Sequence, residues 1–173
     1  MNNISRLRKV LSKIKKWKKN KKEIVLTNGC FDLLHAGHKY LFRQAKKKNQ
    51  KLIVLINSDK SVKNLKGNKR PIENQIIRTK NLLDLKYVDD VYIFEESTPL
   101  KMIKSICPDV LVKGADYNIH EIVGAKFVLA NGGKVRTIPL TPGFSTTKLI
   151  EKMVQWRPCV LKIFVLRLYA EFH

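Results

Sequence analysis

Acidic residues are scarce in this chain: 14 Asp and Glu stand against 35 Lys and Arg, leaving a net charge of +21 over 173 residues. Arginine is scarce as well, with 8 Arg against 27 Lys. Proteins that read base sequence lean on the planar guanidinium fork, so a sequence-specific nucleic-acid reader is not expected. Lys, Ile and Asn share AT-rich codons, and composition bias accounts for much of the charge. Cysteine is limited to Cys30, Cys107 and Cys159, an odd and widely spaced set that excludes the disulfide framework of a small secreted domain. The amino terminus has neither the apolar core nor the cleavage site of a signal peptide. No window of 18 apolar residues occurs, so no membrane span is expected and the chain reads as cytoplasmic. Repeats and low-complexity linkers are absent too, which points to one domain over residues 1–153.

Ten Lys and Arg and no acid lie within residues 1–22. Through them Ile4, Leu7, Val10, Leu11, Ile14 and Trp17 recur at three- and four-residue steps. That spacing predicts an amphipathic helix over 4–20, docked by its apolar face and basic elsewhere. From residue 23 short apolar runs alternate with helical periods. Strands are expected at Ile24–Thr27, Leu52–Asn57, Val88–Phe94, Asp109–Val112 and Val135–Leu140. Helices are expected near 38–49, 74–85, 99–106, 120–131 and 145–156. Buried strands separated by helices indicate an α/β fold: a Rossmann-like domain with a five-stranded parallel sheet flanked by helices. Residues 154–173 form an extension of unassigned role, matching no pattern.

In such sheets ligands bind where strands end, so the segments after each strand carry the chemistry. The first, Thr27-Asn28-Gly29-Cys30-Phe31-Asp32-Leu33-Leu34-His35-Ala36-Gly37-His38, leads into a helix. Gly29 permits close backbone approach, and amides at a helix start attract anions. His35 and His38, three residues apart, can face one pocket, where a triphosphate would favour their protonated forms. Satisfied structural histidines are the plain alternative. A zinc trio of Cys30, His35 and His38 lacks a fourth ligand nearby. Ser58–Arg70, read as a loop, brings Lys60, Lys63, Lys66, Lys69 and Arg70 around Gly67, either as a solvated loop or as a lid over phosphates. Asp116 is a hydrogen-bond acceptor for hydroxyls or a helix N-cap. Ser145, Thr146 and Thr147 cap a helix, hold a phosphate, or both.

The run from Asn28 to His38 resembles the signature of the cytidylyltransferase-like nucleotidyltransferase superfamily. Asn57-Ser-Asp59, Leu65-Lys-Gly67, Arg70-Pro-Ile72, Thr98-Pro-Leu100, Pro108–Gly114, Asp116-Tyr117 and Ser145–Lys148 resemble its heptose 1-phosphate adenylyltransferase branch. The likeness runs in order from about residue 4 to 153. It implies that His35 and His38, with Lys66, stabilise charge during attack on a nucleotide's α-phosphate. It implies nucleotide contacts for Asn28, Gly29, Cys30, Phe31, Gly37, Arg78, Ser145, Thr146 and Thr147. Asp32, Lys63, Arg70, Lys113, Gly114 and Asp116 fall to the sugar phosphate. ATP with Mg²⁺ or another divalent cation, a separate sugar kinase and a homodimer are further implications; no metal ligand is assigned. Two alternatives stay open: a CTP-using, glycerol-3-phosphate cytidylyltransferase-like enzyme, and a basic nucleic-acid or membrane-surface protein on an inactive scaffold. The sequence departs from the branch at Ala115, Phe144 and Ile76-Ile77, the last leaving Arg78 without its usual acidic neighbours.

Overall fold

Runs of Val, Ile and Leu that can be buried on both faces become five strands: β1 Glu23–Gly29, β2 Gln50–Asn57, β3 Asp90–Phe94, β4 Val110–Gly114 and β5 Lys134–Ile138. The structure, a computed structural model, describes residues 3–114 and 118–139. All strand pairs are parallel, in the order β3-β2-β1-β4-β5. Sequence order therefore reverses between β1 and β4, where Thr27 pairs with Val112. The carboxyl ends of these two strands open a crevice of the kind that binds nucleotides.

Among the described residues six helices flank the sheet: α1 Asn3–Lys19, α2 Ala36–Ala45, α3 Asp59–Lys66, α4 Gln75–Leu83, α5 Leu100–Ile106 and α6 Ala125–Ala130. Alternate strand residues feed two cores. Ile24 and Leu26 of β1 join Val10 and Ile14 of α1, Ile103 of α5 and Val128 of α6 on one face. Val25 joins Leu41 and Phe42 of α2 and Leu82 of α4 on the other. Each such side chain taken from water contributes about 1.5–3 kcal/mol, which is why the amphipathic amino-terminal helix docks instead of floating. Among the described residues no helix is long and apolar enough to cross a membrane.

Several expected boundaries shift, each for a local reason. The helix expected at 38–49 begins at Ala36 and ends at Ala45, because Lys46 is extended and the chain turns through Asn49 at φ 70° to enter β2. The helix expected at 120–131 is a 3-10 turn, Ile119–Glu121, followed by α6. Gly124 separates the two at φ 88°, where an added β-carbon would stand 2.7 Å from Ile103 Cδ1. Strand β3 starts at Asp90, not Val88, whose N–H closes a turn onto the Leu85 carbonyl. The expected loop Ser58–Arg70 contains α3. The helix expected at 145–156 and the extension 154–173 lie outside the described residues.

Candidate active site

Strand β1 ends at Gly29, and the chain then folds Phe31 back at φ 45° so that its ring covers the glycine. A β-carbon on Gly29 would stand 3.0 Å from that ring, so only glycine fits without displacing it. Phe31 in turn packs edge-on against His38, centroids 5.1 Å apart, and against Phe42. His35 is the extended residue that precedes α2, and His38 lies in the helix's first turn with Gly37 buried beside it. The two imidazoles stack with centroids 3.7 Å apart and planes 24° from parallel. The two histidines predicted to face one pocket lie side by side.

Burial lowers the His35 pKa. For His38, burial first and then the charges of His35 and Lys66 lower it to about 3, with the Leu33 carbonyl acting the other way. Both rings are thus neutral near pH 7 while no anion is beside them, and the protonated form expected from the sequence requires the phosphate's own charge. Nδ1 of each ring, Asn28 Oδ1 and Thr27 Oγ1 are buried without a hydrogen-bond partner among the described residues. Buried polar atoms rarely go unsatisfied, and these cluster around one crevice.

Across the switch point, β4 delivers Lys113, whose Nζ donates to the Asn28 carbonyl at 2.9 Å. Burial brings its pKa down to about 8, partly offset by nearby Cys30, so the ammonium persists at pH 7. Gly114 ends the same strand. Cys30 Sγ lies 3.7 Å from Asn57 Oδ1 at the end of β2. Helix α3 then begins, its Ser58 hydroxyl accepting from the Ser61 N–H and its Val62 buried, which is why this lysine-rich stretch is helical. Lys63 and Lys66 occupy the last turn, exposed, before Gly67 stops the helix at φ 91°. Of this lysine group, Lys66 is the one whose charge acts on His38.

Two predicted ligand-binding residues are used differently. Arg78 is fully buried, and its guanidinium donates to the carbonyls of Glu73, Cys30 and Asn57 and to Asp59 Oδ1. With its donors aimed at protein acceptors, it fastens the strand ends instead of clamping a phosphate. Asp59 supplies the carboxylate that Ile76 and Ile77 do not. Asp32 is likewise buried, accepting from the N–H groups of Ile72 and Glu73 at 2.7 and 3.1 Å. Arg70 touches its other oxygen at 2.5 Å, off the line of the N–H, so charge and not a directed hydrogen bond holds that contact. Both residues fix the segment leading into α4 and shape the rim of the crevice. Asp59 was read from the sequence only as part of the Asn57-Ser-Asp59 motif, with no role assigned, although its place just after a strand and a capping serine was the available signal. Asp116, Ser145, Thr146 and Thr147 lie outside the described residues. A trough of about 340 Å³ between α1, α4 and β3 is a separate feature at the sheet's far edge, its Lys13 and Asp90 paired with each other.

Residues 26–152 match the cytidylyltransferase-like family. The chain belongs to that family. Over 143 residues it is 51% identical to the bifunctional protein HldE of Koribacter versatilis, covering 83% of this chain and 29% of that one. HldE of a Marinomonas species is 50% identical over 143 residues, 83% of this chain and 30% of its own. The chain thus spans about 30% of the length of these relatives. Among solved structures, the lipopolysaccharide core biosynthesis protein from Thermoplasma volcanium aligns with a TM-score of 0.55 at 25% identity, over 69% of this chain and 96% of its own. For this cytidylyltransferase-like chain the family match runs from Leu26 in β1 through the histidine turn to β5, and on through Ser145–Thr147, which lie outside the described residues.

Proposed function

We propose that this protein is a nucleotidyltransferase that moves AMP from ATP to D-glycero-β-D-manno-heptose 1-phosphate, giving ADP-heptose for lipopolysaccharide core synthesis and releasing pyrophosphate. The observation that carries the reading is the stacked His35–His38 pair at the start of α2, inside the β1–β4 crevice and within reach of the Lys66 charge. The kinship with HldE proteins supports the choice of substrate. An oxygen of the sugar phosphate attacks the α-phosphorus, and the bond from that phosphorus to the bridging oxygen breaks, its electron pair leaving with pyrophosphate. A phosphomonoester's second pKa is about 6, so the attacking oxygen is already anionic and needs no general base. What the protein supplies is alignment and positive charge: imidazole N–H groups, helix-start amides, Lys66, and Lys113 across the crevice. Among the described residues no three His, Cys, Asp or Glu side chains gather to hold an ion, so the divalent cation is read as part of the Mg·ATP substrate. The sugar phosphate would be the product of a sugar kinase activity.

A pyrophosphate-release screen of ATP and CTP against heptose 1-phosphate and glycerol 3-phosphate tests this. ATP with heptose 1-phosphate should give the highest kcat/KM. Preference for CTP and glycerol 3-phosphate would replace the assignment with the cytidylyl alternative, and no turnover with any pair would leave a basic binding protein on an inactive scaffold. His35→Ala and His38→Ala should each lower turnover by at least roughly 10²-fold, the scale of losing one oxyanion donor. Wild-type rates in both variants would remove the histidines from the chemistry.

A further inference from the structure

A guanidinium keeps its proton when buried, so a fully buried Arg78 needs acceptors for its donors. Those acceptors come from parts of the fold that are remote in sequence. Nη1 reaches the Cys30 carbonyl at 2.6 Å, in the loop that presents His35, and Nη2 reaches the Asn57 carbonyl at 2.9 Å, where β2 ends. Nη2 also meets Asp59 Oδ1 at 2.8 Å, in the first turn of α3, while Nε holds the Glu73 carbonyl at 3.0 Å. Asp59 brings the charge in this set of acceptors. Its backbone N–H is fastened as well, to Gln75 Oε1 at 3.0 Å, and next door Asn57 Nδ2 donates to Ser61 Oγ at 3.0 Å.

The opposite end of α3 is built differently. Lys63 and Lys66 are exposed, and the helix stops there at Gly67. α3 is therefore a short lever held at its first turn and carrying exposed lysines at its last. At 1.5 Å per residue the two ends are about 10 Å apart, so a tilt of roughly 10° at Asp59 would carry Lys66 by about 2 Å. Coulomb interaction with a phosphate or an imidazole changes steeply over such a distance.

We propose that the Asp59–Arg78 ion pair is a positioning pair for the nucleotide site, fixing the axis of α3 so that Lys66 faces the His35–His38 stack. Its consequence for phosphate handling rests on the nucleotidyl-transfer reading above. The experiment is a double-mutant cycle on Asp59→Asn and Lys66→Met, read as the dissociation constant of Mg·ATP by titration calorimetry with no sugar phosphate present. The Asp59 side chain is 39% exposed, so the asparagine variant retains the fold, which a thermal melt checks. Each single substitution should weaken ATP binding about tenfold, the scale of one charge-assisted contact. The double variant should bind no worse than Lys66→Met alone, because Asp59 acts through that lysine. A second variant, Asp59→Glu, keeps the charge but pushes α3 outward by one methylene. It should lose affinity without losing stability, and lose nothing further in the Lys66→Met background. Additive losses, or unchanged affinity in Asp59→Asn and Asp59→Glu, would overturn the positioning role alone. ATP binding without transfer to any sugar phosphate would sink the proposed function alone, and a wild-type protein that binds no ATP would sink both.

Discussion

Two imidazoles stacked at 3.7 Å cannot both be charged without strong mutual repulsion, and the site resolves this by keeping both neutral until an anion arrives. Two measurable consequences follow from the sign of the shifts. His38 titrates at about 3 in the folded protein against about 6.5 when unfolded. Between those values the unfolded chain holds a proton that the native state does not, so stability rises with pH there and is lost as pH falls from 6.5 toward 3. Thermal midpoints from pH 7 down to 4 should drop less steeply in His38→Gln than in wild type; parallel curves would count against a buried neutral ring. Second, a polyphosphate beside the rings raises both pKa values, so ATP binding should take up protons at pH 6. Calorimetry in two buffers of different ionisation enthalpy reads this uptake, which should shrink in His38→Gln, and zero uptake in wild type would contradict the electrostatic reading. Arg78 and Asp32 teach the complementary lesson. Sequence identified both as important, but whether a charged side chain faces ligand or protein depends on burial, which no local pattern encodes.

At the scale of elements, the strands were legible because a strand buried on both faces needs an unbroken apolar run, and Leu52–Ile56 of β2 is one. Helix α3 was not, since only Ser61 and Val62 of its eight residues are buried and three of the other six are lysine, leaving no apolar period to read. The break between Glu121 and Ala125 was hidden for another reason: Gly124 looks tolerable inside a helix until its φ of 88° is known. Gly124→Ala should cost about 1–3 kcal/mol, from the left-handed backbone and from a β-carbon placed 2.7 Å from Ile103 Cδ1. Asn74, whose side chain accepts from the N–H groups of Ile76 and Ile77, starts the helix that carries Arg78. Removing that cap in Asn74→Ala should cost about 1 kcal/mol. Urea midpoints for the two variants check both values, and a neutral Gly124→Ala would mean that the chain can adopt the continuous helix its pattern suggests.

For the whole molecule, the charge of +21 acts at long range. α1 contributes basic side chains to the surface while Val10 and Ile14 anchor it on the sheet, so its apolar face is spent on the fold. Anionic substrates should be drawn toward such a surface, and salt should screen the attraction. The association rate for ATP, followed by stopped flow, should fall with rising ionic strength while the dissociation rate changes little. A salt-independent association rate would mean that the excess lysine reflects composition without kinetic effect.

Chain order and side-chain type settled the α/β alternation, the amino-terminal helix and the turn that carries both histidines, because each depends on residues a few positions apart whose spacing matches a helix or strand period. Contacts between Cys30, Asn57, Asp59 and Arg78 span up to 48 residues, and only folding makes them neighbours. Tertiary structure therefore decided which cations line the crevice and which hold it together, since a charge takes its role from whether water, ligand or protein completes its hydrogen bonds.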